Sequence, residues 1–600
     1  MWNDLPDYDI TTKGIDLKLW AKVMKYVSKY KSAIILVISA LAVHAASEAL
    51  TPLLTRFAID KYINTGSKDG MWVLALAYAG IALFKGTAVF LFIYFAEKVG
   101  VFMSADLRKA AFRKLQELSF SYYDRTTAGH LIARMTSDVN RLMEVVSWGF
   151  VDIIWGIMMI VFLTTAMMLL SVKIALIVLI VVPGLALVCG YFQRKILDAS
   201  RETRKNSSAI TSSFNEGISG ASTTKTLVRE EKNLDEFTEK AGRLRGSSAK
   251  MQLLVALFLP MVLLLGVMGT SLALWQGGIM VMNELMTYGT LAAFISYTVS
   301  FFNPINDLAS RFADFNIAQA AGERIFKLLE TEPEIRDSAE VIEKYGVVKP
   351  SDKSPRLTGD ILFDDVSFYY KENENVLENF TLDVKAGECV ALVGETGSGK
   401  TTIVNLMCRF YEPTSGGIFI DGAEYRTFPL MHLQSNLGYM LQTPHLFSGT
   451  IRDNIRYGNL SASDEEVVEA AKLVKADDFI VKFEAGYDHV VSKGGGGLST
   501  GQKQLICIAR AIIADPSIFI LDEATSSVDT ETEMLIQDAI KSTIKGRTSF
   551  IIAHRLSTVR NADRILLIEK GRVAEQGSHA ELMASEGKYY RLYTNQFDVV

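Results

Sequence analysis

Residues 394–401 read GETGSGKT, with glycine at 394, 397 and 399, lysine at 400 and threonine at 401. Glycines at that spacing let the backbone curl so that successive N–H groups face one anion. A helix opening at Lys400 adds its positive N-terminal end. The chemistry is the binding of a polyphosphate. Gly394, Glu395, Thr396, Gly397, Ser398, Gly399, Lys400, Thr401 and Thr402 form the expected cradle. Lys400 is set to reach the β- and γ-phosphates, and Thr401 to ligate Mg²⁺. The apolar run ECVALVG just before the loop and the helix just after it separate this segment from a chance glycine turn.

Further along, SIFILDEAT (517–525) reads as a buried strand ending in two acids. One acid at a strand end is usually structural. Two of them downstream of a phosphate loop fit phosphoryl chemistry, with Asp522 in the Mg²⁺ shell and Glu523 polarising the attacking water. His554, at the end of the apolar run TSFIIAH, is placed to meet the γ-phosphate or that water. A lone histidine is otherwise more often a satisfied core residue. Gln442, in GYMLQTPHLFSGT, means little by itself.

The elements that must hold these residues fall in the second half of a 600-residue chain, which is too long for one core. From residue 359 the pattern is strand, glycine loop, helix, the order of an α/β nucleotide-binding domain. The first half is different in kind. Hydrophobic residues make up 49% of the chain and mean hydropathy is +0.20, and nearly all the long apolar runs precede residue 315. Six runs approach or exceed the ~20 residues that span a bilayer. They lie near 33–57, 71–98, 144–169, 173–193, 250–276 and 287–312. Segments 99–143 and 194–249 between them are long and rich in Lys and Arg, so both belong inside the cell with both termini. They read as helical continuations of the spans. Residues 17–31 (LKLWAKVMKYVSKYK) read as an amphipathic helix lying on the membrane surface.

The expected architecture is therefore multi-domain: an all-α six-helix transmembrane domain followed by an α/β phosphate-loop nucleotide-binding domain. Residues 1–32 hold a cytosolic N-terminus and elbow helix, 33–330 the transmembrane domain, 331–356 a linker and 357–600 the nucleotide-binding domain. The N-terminal text has no cleavable signal pattern. A net charge of -5 gives no reason to expect nucleic acid. The four cysteines lack metal-like spacing, and Cys389, Cys408 and Cys507, in the nucleotide-binding half, read as free buried thiols in a reducing compartment.

Over nearly its whole length the chain resembles an ATP-binding cassette exporter half-transporter, of the multidrug/lipid exporter type with the type IV fold. YYDRTTAGHLIARMTSDV (122–139) and NEGISGASTTKTLVREE (215–231) resemble the family's two intracellular loops, and AGERIFKLLETEPEI (321–335) its junction after the sixth span. The resemblance implies that Tyr370 stacks on adenine and that Gln442 contacts Mg²⁺ and the membrane domain. It implies that Ser499, Thr500, Gly501 and Gln502 of LSTGQ are the signature capping the partner's nucleotide. Ser527–Val528–Asp529 would cross to that partner, and helices near 120–127 and 210–218 would dock on the nucleotide domains. The cofactors implied are ATP and Mg²⁺. Physics supports the two-chain logic, because one phosphate loop covers only one side of a triphosphate and a second helix N-terminus can cap the other.

Two positions depart from the family pattern. Thr500 stands where the signature usually has glycine, and Lys493 where glutamate is frequent. A β-branched side chain adds bulk where phosphate approaches. With Lys400, Asp522, Glu523 and His554 all standard, the favoured partner is a different half-transporter rather than a second copy; a homodimer that tolerates threonine is the alternative.

Substrate is less legible. His44, Glu48, Lys85 and Asp152 are ionisable groups within spans, which fits either a polar patch on the substrate path or interhelical pairing. Met158, Met159, Met167, Met168, Met261 and Met268, with Phe301 and Phe302, could line an adaptable apolar cavity or simply pack. The expected activity is ATP-driven export of amphipathic or lipophilic small molecules, multidrug-type, by a multi-pass protein of the plasma (inner) membrane. A lipid flippase, a siderophore-type importer on the same fold and a regulatory ATP-binding subunit are the alternatives. A self-cleaving peptide exporter is not expected, as no protease domain precedes the first span.

Overall fold

The computed structural model describes residues 16–66, 68–346, 356–371, 374–522, 530–553 and 559–597. They form two compact units. The first takes the chain up to Glu117 and from Thr126 to Thr331. The second takes Leu118–Arg125 and the chain from Glu332 onward.

The first unit is helical: α1 (Leu17–Val27), α2 (Lys31–Ala58) and α3 (Met71–Glu117) come before the excursion that carries α4 (Phe120–Arg125) into the second unit. A run of short helices then follows, α5 (Ala128–Ala133), α6 (Val139–Glu144) and α7 (Phe150–Leu170), joined by single π-helical turns. The unit ends with α8 (Val172–Ser219), α9 (Ala221–Thr226), α10 (Glu230–Met282) and α11 (Tyr288–Glu330). Among the described residues five helical runs are long and apolar enough to cross a membrane: Leu17–Ile63, Met71–Glu117, Ala128–Leu170, Val172–Ser219 and Glu230–Met282. The sixth expected span lies in α11, where serine, threonine and tyrosine dilute the apolar residues, and it is not among those five. The basic segments after the second and fourth spans do continue as helix, since α3, α8 and α10 run 47, 48 and 53 residues.

Packing explains which faces stay apolar outside. Leu163 and Met167 of α7, Ile174, Val178 and Leu185 of α8, Ala273 of α10 and Phe294, Tyr297 and Phe301 of α11 form one buried core. In contrast, only 6% and 11% of the apolar windows in α3 and α10 are buried, as suits faces that meet lipid or another chain. Away from that core, the Asp138 carboxylate between α5 and α6 accepts two hydrogen bonds from the Arg324 guanidinium on α11, at 2.6 and 2.9 Å. Helix α1 sets its apolar stripe against protein. Its apolar residues Leu19, Trp20, Val23 and Val27 are buried against Met103, Leu142, Ala318 and Ile325 of the same unit. Trp20 meets Phe150 edge-on at 5.5 Å. An apolar stripe can be covered by protein as well as by lipid, and the stripe alone does not distinguish them.

After α4 the second unit continues with α12 (Ala339–Tyr345) and is built on two main sheets. An antiparallel sheet orders β2 (Asn375–Val384), β1 (Ile361–Tyr369), β4 (Ser415–Ile420) and β5 (Ala423–Glu424). A six-stranded sheet also contains β3 (Cys389–Val393), β6 (Leu437–Met440) and, beyond the small β7–β8 ribbon (Gly449–Thr450, Val490–Val491), β9 (Ile518–Asp522), β10 (Thr548–Ile552), β11 (Arg564–Glu569) and β12 (Arg572–Gly577). Its order is β12-β11-β3-β10-β9-β6, parallel except for β12. β3 and β10 are buried at every residue, the pattern of parallel strands covered on both faces. Helix α13 (Lys400–Met407) follows the phosphate loop. Helices α14 (Leu430–Ser435), α15 (Ile451–Arg456), α16 (Asp464–Leu473), α17 (Asp477–Ile480), α18 (Thr500–Ile512) and α19 (Thr530–Ile544) complete the layers used below.

Candidate nucleotide-binding site

The parallel strands bring the sequence-picked residues to one edge. Ile552 of β10 pairs with Leu392 of β3 on one side and Asp522 of β9 on the other, and Met440 of β6 pairs with Leu521. The phosphate loop leaves β3 after Val393, Asp522 ends β9, and Gln442 comes two residues after β6, where it is exposed. All three therefore follow the carboxyl ends of neighbouring strands, where α/β sheets bind ligands. Glu523, His554 and Ser527–Val528–Asp529 lie outside the described residues.

Within the loop, Glu395, Thr396 and Gly397 are exposed, and Ser398, Gly399 and Lys400 are buried. Gly394 has φ +149°, and a Cβ there would sit 2.3 Å from the Ile568 carbonyl oxygen of β11, so only glycine lets the loop turn so close to the sheet. The Lys400 ammonium folds into the loop and donates to the Gly394 and Glu395 carbonyls at 2.7 and 2.8 Å. Burial lowers its pKa, and the Asp522 carboxylate acts in the opposite sense. Thr401 is exposed at the start of α13, and Thr402 is buried.

Tyr370, just past β1, is fixed to this helix. Its hydroxyl shares a hydrogen bond with the Thr402 hydroxyl at 3.2 Å. The edges of Phe368 and Tyr411 meet its ring at 4.8 and 5.1 Å, and 40% of the residue stays exposed.

The signature segment is formed by a different part of the unit. Ser499 caps α18, Thr500 is its exposed first residue, Gly501 is buried and Gln502 completes the cap. Lys493 is exposed just upstream. Among the described residues no hydrogen bond or ion pair joins Ser499–Gln502 to residues 394–402.

The sequence reading missed Asp124 and Tyr411. Helix α4 packs Phe120 on Phe410, ring centroids 4.2 Å apart, and the Ser119 hydroxyl accepts from the Ile335 N–H at 3.0 Å. The Tyr411 hydroxyl donates to the Asp124 carboxylate. Burial, and then that hydrogen bond, raises the Tyr411 pKa. The aromatic pair in RFYEP directly after α13 was the available signal. The other expected docking segment, 210–218, ends α8 in the first unit, with Phe214 55% and Ile218 75% exposed.

The ionisable groups in the membrane half are paired. The Lys85 ammonium meets the Glu48 carboxylate, Asp152 lies 2.7 Å from Arg311, and His44 Nδ1 accepts from the Trp155 indole N–H at 3.1 Å. Met159, Met167, Phe301 and Phe302 are buried in the helical core, while Met261 and Met268 are about half exposed on α10. Met268 lines an open apolar hollow on that helix, with Pro260, Leu263 and Val267.

Comparison with known proteins agrees with this geometry. Residues 34–305 match the ABC transporter transmembrane region, and 377–526 match the ABC transporter family model. The chain is 34% identical over 538 residues to an ATP-dependent lipid A-core flippase of Syntrophus aciditrophicus, covering 90% of this chain and 88% of the relative. It is 32% identical over 582 residues to YgaD of Bacillus subtilis, named provisionally as a multidrug export ATP-binding/permease protein, covering 96% and 99%. It is 38% identical over 479 residues to a fatty acid ABC transporter ATP-binding/permease protein of Mycobacterium bovis, covering 80% and 74%. With apolar helices ahead of a phosphate-loop α/β unit in one polypeptide, the chain belongs to the ATP-binding cassette exporters, as a half-transporter whose ATPase drives transport across a membrane.

Proposed function

We propose that the chain exports amphipathic or lipophilic small molecules, as one half of a dimer with a different half-transporter. The ATP site is the best-supported part. Adenine stacks on Tyr370, and the triphosphate lies in the loop from Gly394 to Thr402. The observation that carries this is the alignment of that loop, Gln442 and Asp522 at one edge of the parallel sheet. ATP entering the loop would take over the Lys400 ammonium from the two carbonyls that now accept from it.

A hydroxyl, an amide oxygen and a carboxylate from Thr401, Gln442 and Asp522 are the hard oxygen donors that suit Mg²⁺. The ion would neutralise charge on the β- and γ-phosphates. Glu523 polarises the attacking water and His554 steadies the γ-phosphate. Ser499, Thr500, Gly501 and Gln502 cap the nucleotide of the partner, and the partner's signature caps the nucleotide held here. Closure with ATP and release after hydrolysis give the differential affinity that can drive a two-state membrane domain.

Exposure of Thr500 at the start of α18 supports pairing with a chain whose own signature is intact. The relatives named for lipid A-core, drugs and fatty acids share amphipathic or lipophilic cargo, which supports that class here. The basic helical extensions of α3, α8 and α10 support a plasma membrane protein with both termini in the cytoplasm. The test is ATP hydrolysis in lipid nanodiscs, by this chain alone and with candidate partner half-transporters, using Glu523→Gln as the blank. Stimulation by a partner supports the heterodimer; full activity alone overturns it.

A further inference from the structure

We propose that Asp124 and Tyr411 are positioning residues for the adenine platform at Tyr370. The inference rests on Tyr370 being that platform. The Tyr370 ring is held at three places: by the hydroxyl contact with Thr402, by the edge of Phe368 and by the edge of Tyr411, the two rings standing at 86° and 85° to it. Thr402 sits on α13 and Phe368 on β1, so both are fixed by regular structure. Tyr411 is not; it follows α13 in an irregular stretch before β4. Its ring meets Phe368 at 5.8 Å, and its far end is fixed where the hydroxyl donates to Asp124. A hydrogen bond to a carboxylate is directional and stronger than one to a neutral acceptor. It selects one rotamer of Tyr411, and that rotamer walls the flank of Tyr370.

Asp124 is supplied by α4, and the chain on both sides of this segment belongs to the helical unit. Phe120, on the same helix, seats α4 against Phe410. A base that stacks on Tyr370 thus meets a surface whose order depends on a carboxylate 287 residues earlier in the chain, within the same unit. The contribution is to binding of the base, with no direct role at the phosphates.

Equilibrium binding of MgATP and of magnesium tripolyphosphate to the purified full-length chain separates these roles, because tripolyphosphate has no base. Tyr370→Ala is expected to weaken ATP about tenfold, and Asp124→Ala and Tyr411→Phe about threefold each. The double variant should be no weaker than either single one. Asp124→Asn, which keeps an acceptor oxygen, should stay within about twofold of the parent. Tripolyphosphate affinity should stay within about twofold in every variant. If Tyr370→Ala weakens ATP while Asp124→Ala and Tyr411→Phe do not, the platform stands and the positioning role falls. If Tyr370→Ala has no effect, the platform reading itself is wrong. Parallel losses of ATP and tripolyphosphate would mean general damage to the loop and would also overturn the proposal. Tyr411→Phe removes one oxygen from a folded core and keeps the test open if Asp124→Ala does not fold.

Discussion

Ser499 and Gln502 exchange two hydrogen bonds: the Gln502 N–H donates to the Ser499 hydroxyl at 3.2 Å, and the Ser499 N–H donates to Gln502 Oε1 at 3.0 Å. This reciprocal cap starts α18 without any help from residue 500. Thr500 is therefore free to vary without loss of the helix, and its effect should be on the facing nucleotide. Thr500→Gly in the chain expressed alone is expected to leave the melting temperature nearly unchanged and to raise ATP turnover at least about threefold, a barrier lower by at least about 0.6 kcal/mol. An unchanged rate would remove the main argument for an unlike partner.

Two glycines of the phosphate loop should respond differently to alanine. A Cβ at Gly394 would lie 2.3 Å from a backbone oxygen of β11, which cannot move without parting two strands. At Gly397, φ is +84° but nothing lies within 4 Å. Gly397→Ala should cost only the conformational strain, about 1 kcal/mol. Gly394→Ala should lower the melting temperature further and abolish ATP binding. Thermal melts with and without MgATP would check the order; equal losses at the two positions would contradict it.

The cysteines of the second unit give a pH dependence. Burial pushes the Cys389 thiol from its ordinary 9.0 to about 12, and burial also raises Cys408. A group with a raised folded pKa holds its proton in the fold and loses it sooner in the unfolded chain. Stability from this source is complete below pH 9 and falls as pH rises from there toward 12. Native protein at pH 8 should resist iodoacetamide at Cys389 and Cys408, and urea-unfolded protein should react at both. Rapid native labelling of either would refute the burial.

Glu48 and Lys85 are side chains of α2 and α3 that pair with about a third of each exposed. Removing one leaves the other unpaired among apolar helices. Glu48→Gln should therefore destabilise by about 1–2 kcal/mol, and the double variant Glu48→Gln/Lys85→Met should recover most of the loss. Melts in nanodiscs and cargo-stimulated ATPase rates would be compared. A double variant that melts normally but no longer responds to cargo would assign the pair to the substrate path.

Much of the nucleotide unit was legible because its chemistry is local in sequence. The phosphate loop, the strand ending at Asp522 and the cap at Ser499 are each set by a few consecutive residues, and the apolar strands around them have only one way to be covered. The membrane half was legible in outline, since helix length and apolarity announce five spans. The sixth was less so, because the polar residues of α11 weaken the same signal. Contacts across long sequence separations were not readable. The link from Asp124 to Tyr411 bridges 287 residues, and the residues that cover the α1 stripe, such as Met103, Leu142 and Ile325, lie far from it in the chain. The partner of Glu48 was likewise not readable: Lys85 lies 37 residues on.

The central claim is that the loop from Gly394 to Thr401 holds the triphosphate, with Lys400 as its cation. The most direct measurement is MgATP binding to the full-length chain in nanodiscs, parent against Lys400→Ala. Lys400 is buried in the loop and donates to two of its carbonyls, so thermal melts without nucleotide would show that the variant is folded. The account predicts a loss of at least about tenfold in affinity, or 1.4 kcal/mol. A folded Lys400→Ala chain that binds MgATP as tightly as the parent would contradict it.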